Sequence, residues 1–325
     1  MNNWCFITEC KNNYTVGTGH IKRMIIFAKF VRQMNNNVNF IINNNKFAKE
    51  LLKNHKFKYT VNNSLIQNRH SDIIFLDTYD KYICTDYRNY LAKKCKKLII
   101  ITDSYIDENI DADLVIYTND FLKGKISKKN TLIGSKYLIM DSLFKKKKIN
   151  FSSKVKNVLI TFGGADPHDV TKLVLKAILK NKTDFNDINF NILIGKYYKN
   201  KKKLNNLIKT SNFRIFQNLQ DIASFYQHHD YAITAGGNTF YELCSLGIPC
   251  SVVSQNYRQH YALKSLKNLI SVDYIGMHNS LSQKIILKKI ATSIVDKKKR
   301  IKNFKFWIKY YNKDVKKLIY NKELC

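Results

Sequence analysis

A chain of 325 residues that is 45% apolar and 13% aromatic can bury two cores, which excludes intrinsic disorder. The formal net charge of +32 invites a polyanionic partner. The excess is lysine, however, scattered along the chain beside an excess of Asn, Ile, Tyr and Phe, the mix that an AT-rich coding sequence yields, so most of it reads as solvated surface.

No RNP, zinc-finger or helix-turn-helix signature supports a nucleic-acid partner, and none is expected. Seven cysteines at 5, 10, 84, 95, 244, 250 and 325 form no CxxC pair. Their spread and odd number fit reduced thiols of a cytoplasmic protein better than a disulfide frame or a zinc site. The start, MNNWCFITEC, has neither a basic n-region nor an apolar h-region. No apolar run approaches the roughly 20 residues of a membrane span, so no stable insertion is expected and contact with a membrane would be peripheral.

In chain order, Trp4 to Thr8 reads as a first strand, followed by a polar loop ending in Gly17-Thr18-Gly19-His20. From Ile21 the apolar residues Met24, Ile25, Ala28 and Val31 recur at helical spacing, and Asn35-Asn36-Asn37 stops the helix. Strands are expected at Val38 to Ile42, Phe57 to Val61, Ile73 to Leu76, Leu98 to Ile101 and Leu114 to Tyr117, with helices at Asn45 to Asn54 and Tyr82 to Lys93. Two of these strands run directly into acids, Asp77 and Asp103. Alternating strands and helices indicate parallel βαβ units, whose ligands sit beyond the carboxyl ends of the strands. That places His20, Asp77, Tyr79 and Asp103 on one rim.

Lys145 to Ser153 is a polar break and reads as the linker between a domain of residues 1–148 and one of residues 153–325. The alternation then restarts. Strands are expected at Val158 to Phe162, Asn189 to Ile194 and Phe213 to Phe216, and helices at Asp169 to Leu179, Lys199 to Thr210 and Asp221 to Tyr226. His228-His229 reads as loop surface. The stretch from Tyr231 to Val253 reads as strand, Gly236-Gly237 loop, helix, Gly247-x-Pro249 turn and strand. Glycines there allow close backbone approach to a ligand, Asn238 or Thr239 can cap the helix, and a helix N-terminus seats an anion such as a phosphate. Glu242 falls one turn into that helix. Helices at Gln259 to Lys267, Leu281 to Asp296 and Lys299 to Tyr320 close the chain. The last is basic and amphipathic and is expected to pack on the core. Of only 11 glycines, Gly17, Gly19, Gly163, Gly164, Gly236 and Gly237 fall in strand-to-helix loops, as tight phosphate-type turns require.

Two doubly wound halves with such loops look like the GT-B architecture, an α/β fold of two Rossmann-like domains facing a central cleft. More narrowly, the chain resembles the UDP-sugar hydrolases of pseudaminic acid biosynthesis, relatives of MurG-type glycosyltransferases. The resemblance runs through Gly17 to His20 with Arg23, Asp77 to Tyr79, Asp103, Gly134 with Tyr137, Thr161 to Pro167, Ala235 to Glu242, Gly247 to Pro249 and Gln259. It implies that the second domain holds UDP, with Gly163, Gly164, Asp166, Gly236, Gly237, Asn238 and Thr239 toward the pyrophosphate, Glu242 toward the ribose, and Asn218-Leu219 near the uracil. The first domain would hold the sugar and supply the base, and the last helices could pack back on it. No cofactor or metal is implied.

His20 suits the base: it starts a helix whose dipole opposes a positive charge, which favours a neutral ring able to take a proton. Tyr79 and Asp77 would position the water or a sugar hydroxyl. The sequence departs from the family pattern at Asp141, where an Arg is usual, and at Arg258, where an Asn is usual, both near the expected sugar. The alternatives are a glycosyltransferase of the same fold with a lipid or glycan acceptor and, more distantly, a basic nucleic-acid-binding protein.

Overall fold

The computed structural model describes residues 1–10, 19–62, 70–78, 85–106, 109–126, 129–145, 150–181, 185–208, 212–269, 272–311 and 314–324. The chain divides into two compact units, Met1–Asp141 with Lys313–Cys325, and Ser142–Asn312.

In the first unit, β1 (Asn3–Thr8), α1 (Gly19–Gln33), β2 (Asn37–Ile42), α2 (Lys46–Asn54), β3 (Lys58–Val61), β4 (Ser71–Asp77), α3 (Thr85–Ala92), β5 (Cys95–Thr102), β6 (Leu114–Tyr117) and β7 (Thr131–Ile133) alternate. Among the described residues the strands form one parallel sheet in the order β3-β2-β1-β4-β5-β6-β7. The order reverses between β1 and β4, so the carboxyl ends of those two strands flank a topological switch point. β1, β4, β5 and β6 are near-continuous apolar runs because helices cover both faces of a parallel sheet. One face packs Phe6, Phe40 and Phe75 against Met24, Phe27 and Val31 of α1.

In the second unit the elements are β8 (Asn157–Thr161), α4 (Val170–Leu179), β9 (Asn189–Ile194), α5 (Lys201–Leu207), β10 (Phe213–Gln217), α6 (Ile222–Gln227), β11 (Tyr231–Ala235), α7 (Asn238–Ser245), β12 (Cys250–Ser254), α8 (Tyr257–Leu269), β13 (Asp273–Met277), α9 (Gln283–Val295) and α10 (Lys297–Tyr310). The sheet order is β10-β9-β8-β11-β12-β13, again all parallel, with the switch between β8 and β11.

Four details correct the sequence reading. β7 and β13 are additional edge strands. The single helix expected over Lys299 to Tyr320 is two: α10 reaches its C-cap at Tyr311, and α11 (Val315–Leu324) belongs to the first unit. There Val315 and Ile319 are buried, Tyr320 stacks on Trp4 at 6.1 Å, and its hydroxyl accepts from Asn36 Nδ2 at 2.9 Å. His229 is fully buried, between the Phe225 carbonyl and Asn191. Asn238 is already the first residue of α7; its N-cap is Gly237, which supplies no side-chain acceptor. No helix among the described residues is long and apolar enough to cross a membrane.

Candidate active site

The first unit gathers three of the expected residues into direct contact. Asp77 ends β4, next to Thr8 at the end of β1 in the ladder. His20 and Arg23 lie one turn apart near the start of α1, so they share the helix face that looks onto this edge. His20 Nδ1 lies 2.5 Å from Asp77 Oδ1. Arg23 Nη2 donates to the same oxygen at 2.5 Å, and Arg23 Nε donates to Asp77 Oδ2. This is a two-pronged guanidinium–carboxylate pair, the strong form of a charged hydrogen bond.

Asp77 is 0% exposed. Burial alone would push its carboxyl up, but the Arg23 guanidinium and the His20 ring outweigh burial and hold it well below the usual carboxylate range. An ionised carboxylate only accepts, so the contact with His20 fixes the ring proton on Nδ1 and puts the lone pair on Nε2. His20 keeps some exposure, its side chain being 12% accessible. The trio is therefore an oriented imidazole backed by a permanently charged carboxylate, the arrangement by which a general base is held in one tautomer.

Two expected roles change. Asp77 is buried with both oxygens engaged, so it orients His20 and does not position water or a sugar hydroxyl. Arg23 is buried and holds Asp77, so it is a positioning residue and not a substrate contact. Asp103 stands just past the end of β5, the neighbour of β4; its carbonyl accepts from Asn119 Nδ2. Gly19 opens α1. Gly17 and Tyr79 lie outside the described residues.

In the second unit the expected loops follow the carboxyl ends of the neighbouring strands β8 and β11. Gly163 takes φ +83°, and neither Gly163 nor Gly164 would bring a Cβ within 4 Å of another heavy atom, so this turn is open on its outer side. Asp166 does not look outward with it. Its carboxylate accepts from the Val170 and Thr171 amides at 2.9 and 2.8 Å and so closes the N-terminus of α4; Gln255 Nε2 donates to it at 2.8 Å. The expectation that Asp166 faces a pyrophosphate gives way to this capping role. α7 differs, since Gly237 supplies no such carboxylate. Of the two helix starts, only that of α4 is already occupied by a side-chain anion of its own, which makes the start of α7 the better seat for an incoming one.

Gly236 lacks room for a side chain because α8 lies on it. A Cβ there would sit 2.7 Å from Leu263 Cδ1 and 3.2 Å from Gln259 Cβ. Its smallness serves helix packing more than ligand approach. Gln259 borders Gly237 as well, with Nε2 3.6 Å from where a Cβ would be, while its Oε1 accepts from the Gln255 amide at 2.8 Å. Asn238 is exposed, and Thr239 and Glu242 are half-buried. Thr239 hydrogen-bonds the Tyr226 hydroxyl, whose pKa burial pushes well above its ordinary value. Leu219 is half-buried beyond the end of β10, after Asn218 at φ +58°.

Sequence reasoning missed Gln255 and Gly195. Gln255 ties Asp166 to Gln259, and so the β8 loop to α8. Gly195 follows β9 directly, and a Cβ on it would fall 2.1 Å from the Gly164 carbonyl oxygen. Its position at a strand's carboxyl end, like those of Gly163 and Gly236, was the available signal.

No family model matches the chain. It is similar to an uncharacterized protein, MJ1062, of Methanocaldococcus jannaschii, with 30% identity over 286 residues, 80% of this chain and 58% of that one. It is also similar to the spore coat polysaccharide biosynthesis protein SpsG of Bacillus subtilis, with 29% identity over 135 residues, 41% of this chain and 40% of that one. The chain thus spans about half the length of the curated relatives it matches. Among solved structures it superposes on Acinetobacter baumannii MurG with a TM-score of 0.66 and 12% identity, covering 98% of each chain. On the UDP-GlcNAc 2-epimerase of Neisseria meningitidis bound to UDP-GlcNAc the TM-score is 0.64 at 11% identity, again covering 98% of each. At these identities the likeness is one of fold, and it establishes the chain as GT-B-like, with two doubly wound Rossmann-like units.

Proposed function

We propose that the chain hydrolyses a UDP-linked amino-deoxy sugar at its anomeric carbon, releasing UDP and the free sugar for a nonulosonic acid of the pseudaminic type. The observation that carries this reading is the His20–Asp77–Arg23 trio at the switch point of the first sheet. Water in a hydrolase, like an acceptor hydroxyl in a transferase, must give up its proton to a base, and an imidazole with its lone pair fixed on Nε2 is one. The choice of water rests on the resemblance to the UDP-sugar hydrolases. Support for the substrate class comes from the UDP-GlcNAc bound to the epimerase of like fold and from the polysaccharide-biosynthesis role in the name of the Bacillus relative.

In this mechanism the water oxygen attacks the anomeric carbon as its proton passes to His20 Nε2. The bond from that carbon to the diphosphate oxygen breaks, and the electron pair leaves with UDP. Asp77 stabilises the imidazolium that forms, and Arg23 holds Asp77 in place. The second unit binds UDP, with the start of α7 and the open Gly163-Gly164 turn as donors toward the charge that builds on the leaving diphosphate.

The test is UDP release from a panel of UDP-linked amino-deoxy sugars with no acceptor added. Release of UDP with free sugar supports the hydrolase. UDP binding without turnover, relieved by a lipid or glycan acceptor, would show the transferase instead. His20→Ala is expected to lower turnover at least about a hundredfold while leaving the dissociation constant for UDP within about twofold. A large loss of UDP affinity in that variant would rule out His20 as the base.

A further inference from the structure

Helix α10 has two faces with different commitments. On one side Arg300, Asn303 and Trp307 are buried. Trp307 packs edge-on against Phe240 at 5.6 Å, and Arg300 donates to the Ser152 and Ser153 carbonyls at 2.9 and 2.8 Å. On the other side Lys298, Lys302, Lys305 and Lys309 are all exposed. Their spacing of four, three and four residues puts them in one stripe, and at about 100° per residue that stripe lies opposite the buried side.

The helix sequence KKKRIKNFKFWIKY contains no acid, so the stripe has no counter-charge on its own element. The inward cations do have partners: Lys299 Nζ meets Asp273 at 2.7 Å, and Arg300 is satisfied by carbonyls. Along one edge of the stripe Phe306 and Tyr310 stack at 5.2 Å and remain half-buried. At its N-terminal end Val295 is 75% exposed. A straight row of lysines with aromatic rings at its margin and an aliphatic side chain at its tip fits a flat, anionic, amphipathic surface. Lysine stems can lie along such a surface with their ammonium groups among the headgroups, and aromatic rings favour the boundary between apolar and wet layers. A nucleic-acid groove would call on arginine forks, and the one arginine of α10 is turned inward.

We propose that the Lys298–Lys302–Lys305–Lys309 face of α10 docks the protein on anionic lipid. The binding is peripheral, because the apolar side of the helix is already used by the core. This inference does not depend on whether water or another group accepts the sugar.

The experiment is co-sedimentation of the full chain with vesicles of phosphatidylcholine, with and without roughly a third of phosphatidylglycerol, at low and high salt. A variant with all four stripe lysines changed to Gln is compared with a control in which the exposed Lys46, Lys53, Lys58 and Lys202 are changed to Gln, an equal loss of charge. Circular dichroism and melting confirm that both are folded, and UDP release is followed in each. The expected result is salt-sensitive binding to the anionic vesicles alone, weakened about a hundredfold in the stripe variant and nearly unchanged in the control, with UDP release in solution the same in all three. Equal weakening in both variants would reduce the effect to net charge and overturn the proposal. So would the absence of binding to anionic vesicles at low salt, or a duplex RNA that binds the stripe more tightly than the vesicles do.

Discussion

Replacing Asp77 by Asn is expected to lower turnover by about ten-thousandfold and to destabilise the first unit by about 3–5 kcal/mol. The kinetic loss follows from the tautomer. A carboxamide can donate to Nδ1 as well as accept from it, so the His20 proton is no longer held on Nδ1 and Nε2 is no longer reliably the acceptor. The stability loss follows from burial, since the neutral carboxamide would leave the Arg23 guanidinium in a dry site without its anion. Asp77 titrates lower in the folded chain than in the unfolded one. Its stabilisation is therefore whole above about pH 4 and fades as the pH falls toward the folded-state value. Urea melts of the wild type and the variant should thus differ most at neutral pH and converge in acid. A constant gap between them would mean that the ion pair is not the source of the difference. UDP affinity should stay the same, because the nucleotide is assigned to the other unit.

Gly195→Ala should have the second largest effect. The new methyl would meet the Gly164 oxygen at 2.1 Å and its carbonyl carbon and Cα at 2.3 Å. Backbone atoms cannot swing aside as a leucine tip can, so the turn from Phe162 to Asp166 has to move. The Tyr197 amide would then lose its 3.1 Å bond to the Gly164 carbonyl, and the Asp166 cap on α4 would be pulled out of line. The expected cost is about 1–3 kcal/mol in chemical denaturation, together with about a hundredfold weaker UDP binding by calorimetry. Gly164→Ala is the control, as its methyl would point into open space. If the two substitutions cost the same, contact between the β8 and β9 loops is not what shapes the turn. A stability loss without any loss of UDP affinity would keep the packing argument and remove the turn from the nucleotide site.

The contrast between these residues shows how far the sequence could be read. Buried parallel strands such as Leu98 to Ile101 and Tyr231 to Ala235 are visible as apolar runs between turn signals. β13 is not, because its five residues, DYIGM, include an acid and a glycine and leave too few apolar positions to mark a strand. β7 is three residues long and carries too little pattern to read. That His20 and Asp77 share a rim follows from strand ends alone. That they touch depends on how far α1 turns before its side chains meet β4, which spacing does not specify. Arg23 was legible as a neighbour of His20, one turn away, but its inward direction was not. Asp166 and Gly236 show the same gap from the other side: polar or small residues in a phosphate-type loop can serve the scaffold, and only packing tells which do.

The docking of α11 on the first unit has a consequence for biosynthesis. Trp4, Phe27 and Phe30 leave the ribosome well before Tyr320, the ring that stacks on Trp4 and meets Phe30 edge-on. All of residues 142–312 are translated in between, so the second unit can fold before the first is completed. Until then an aromatic face of the nascent chain stays uncovered, within reach of chaperones and of other copies of itself.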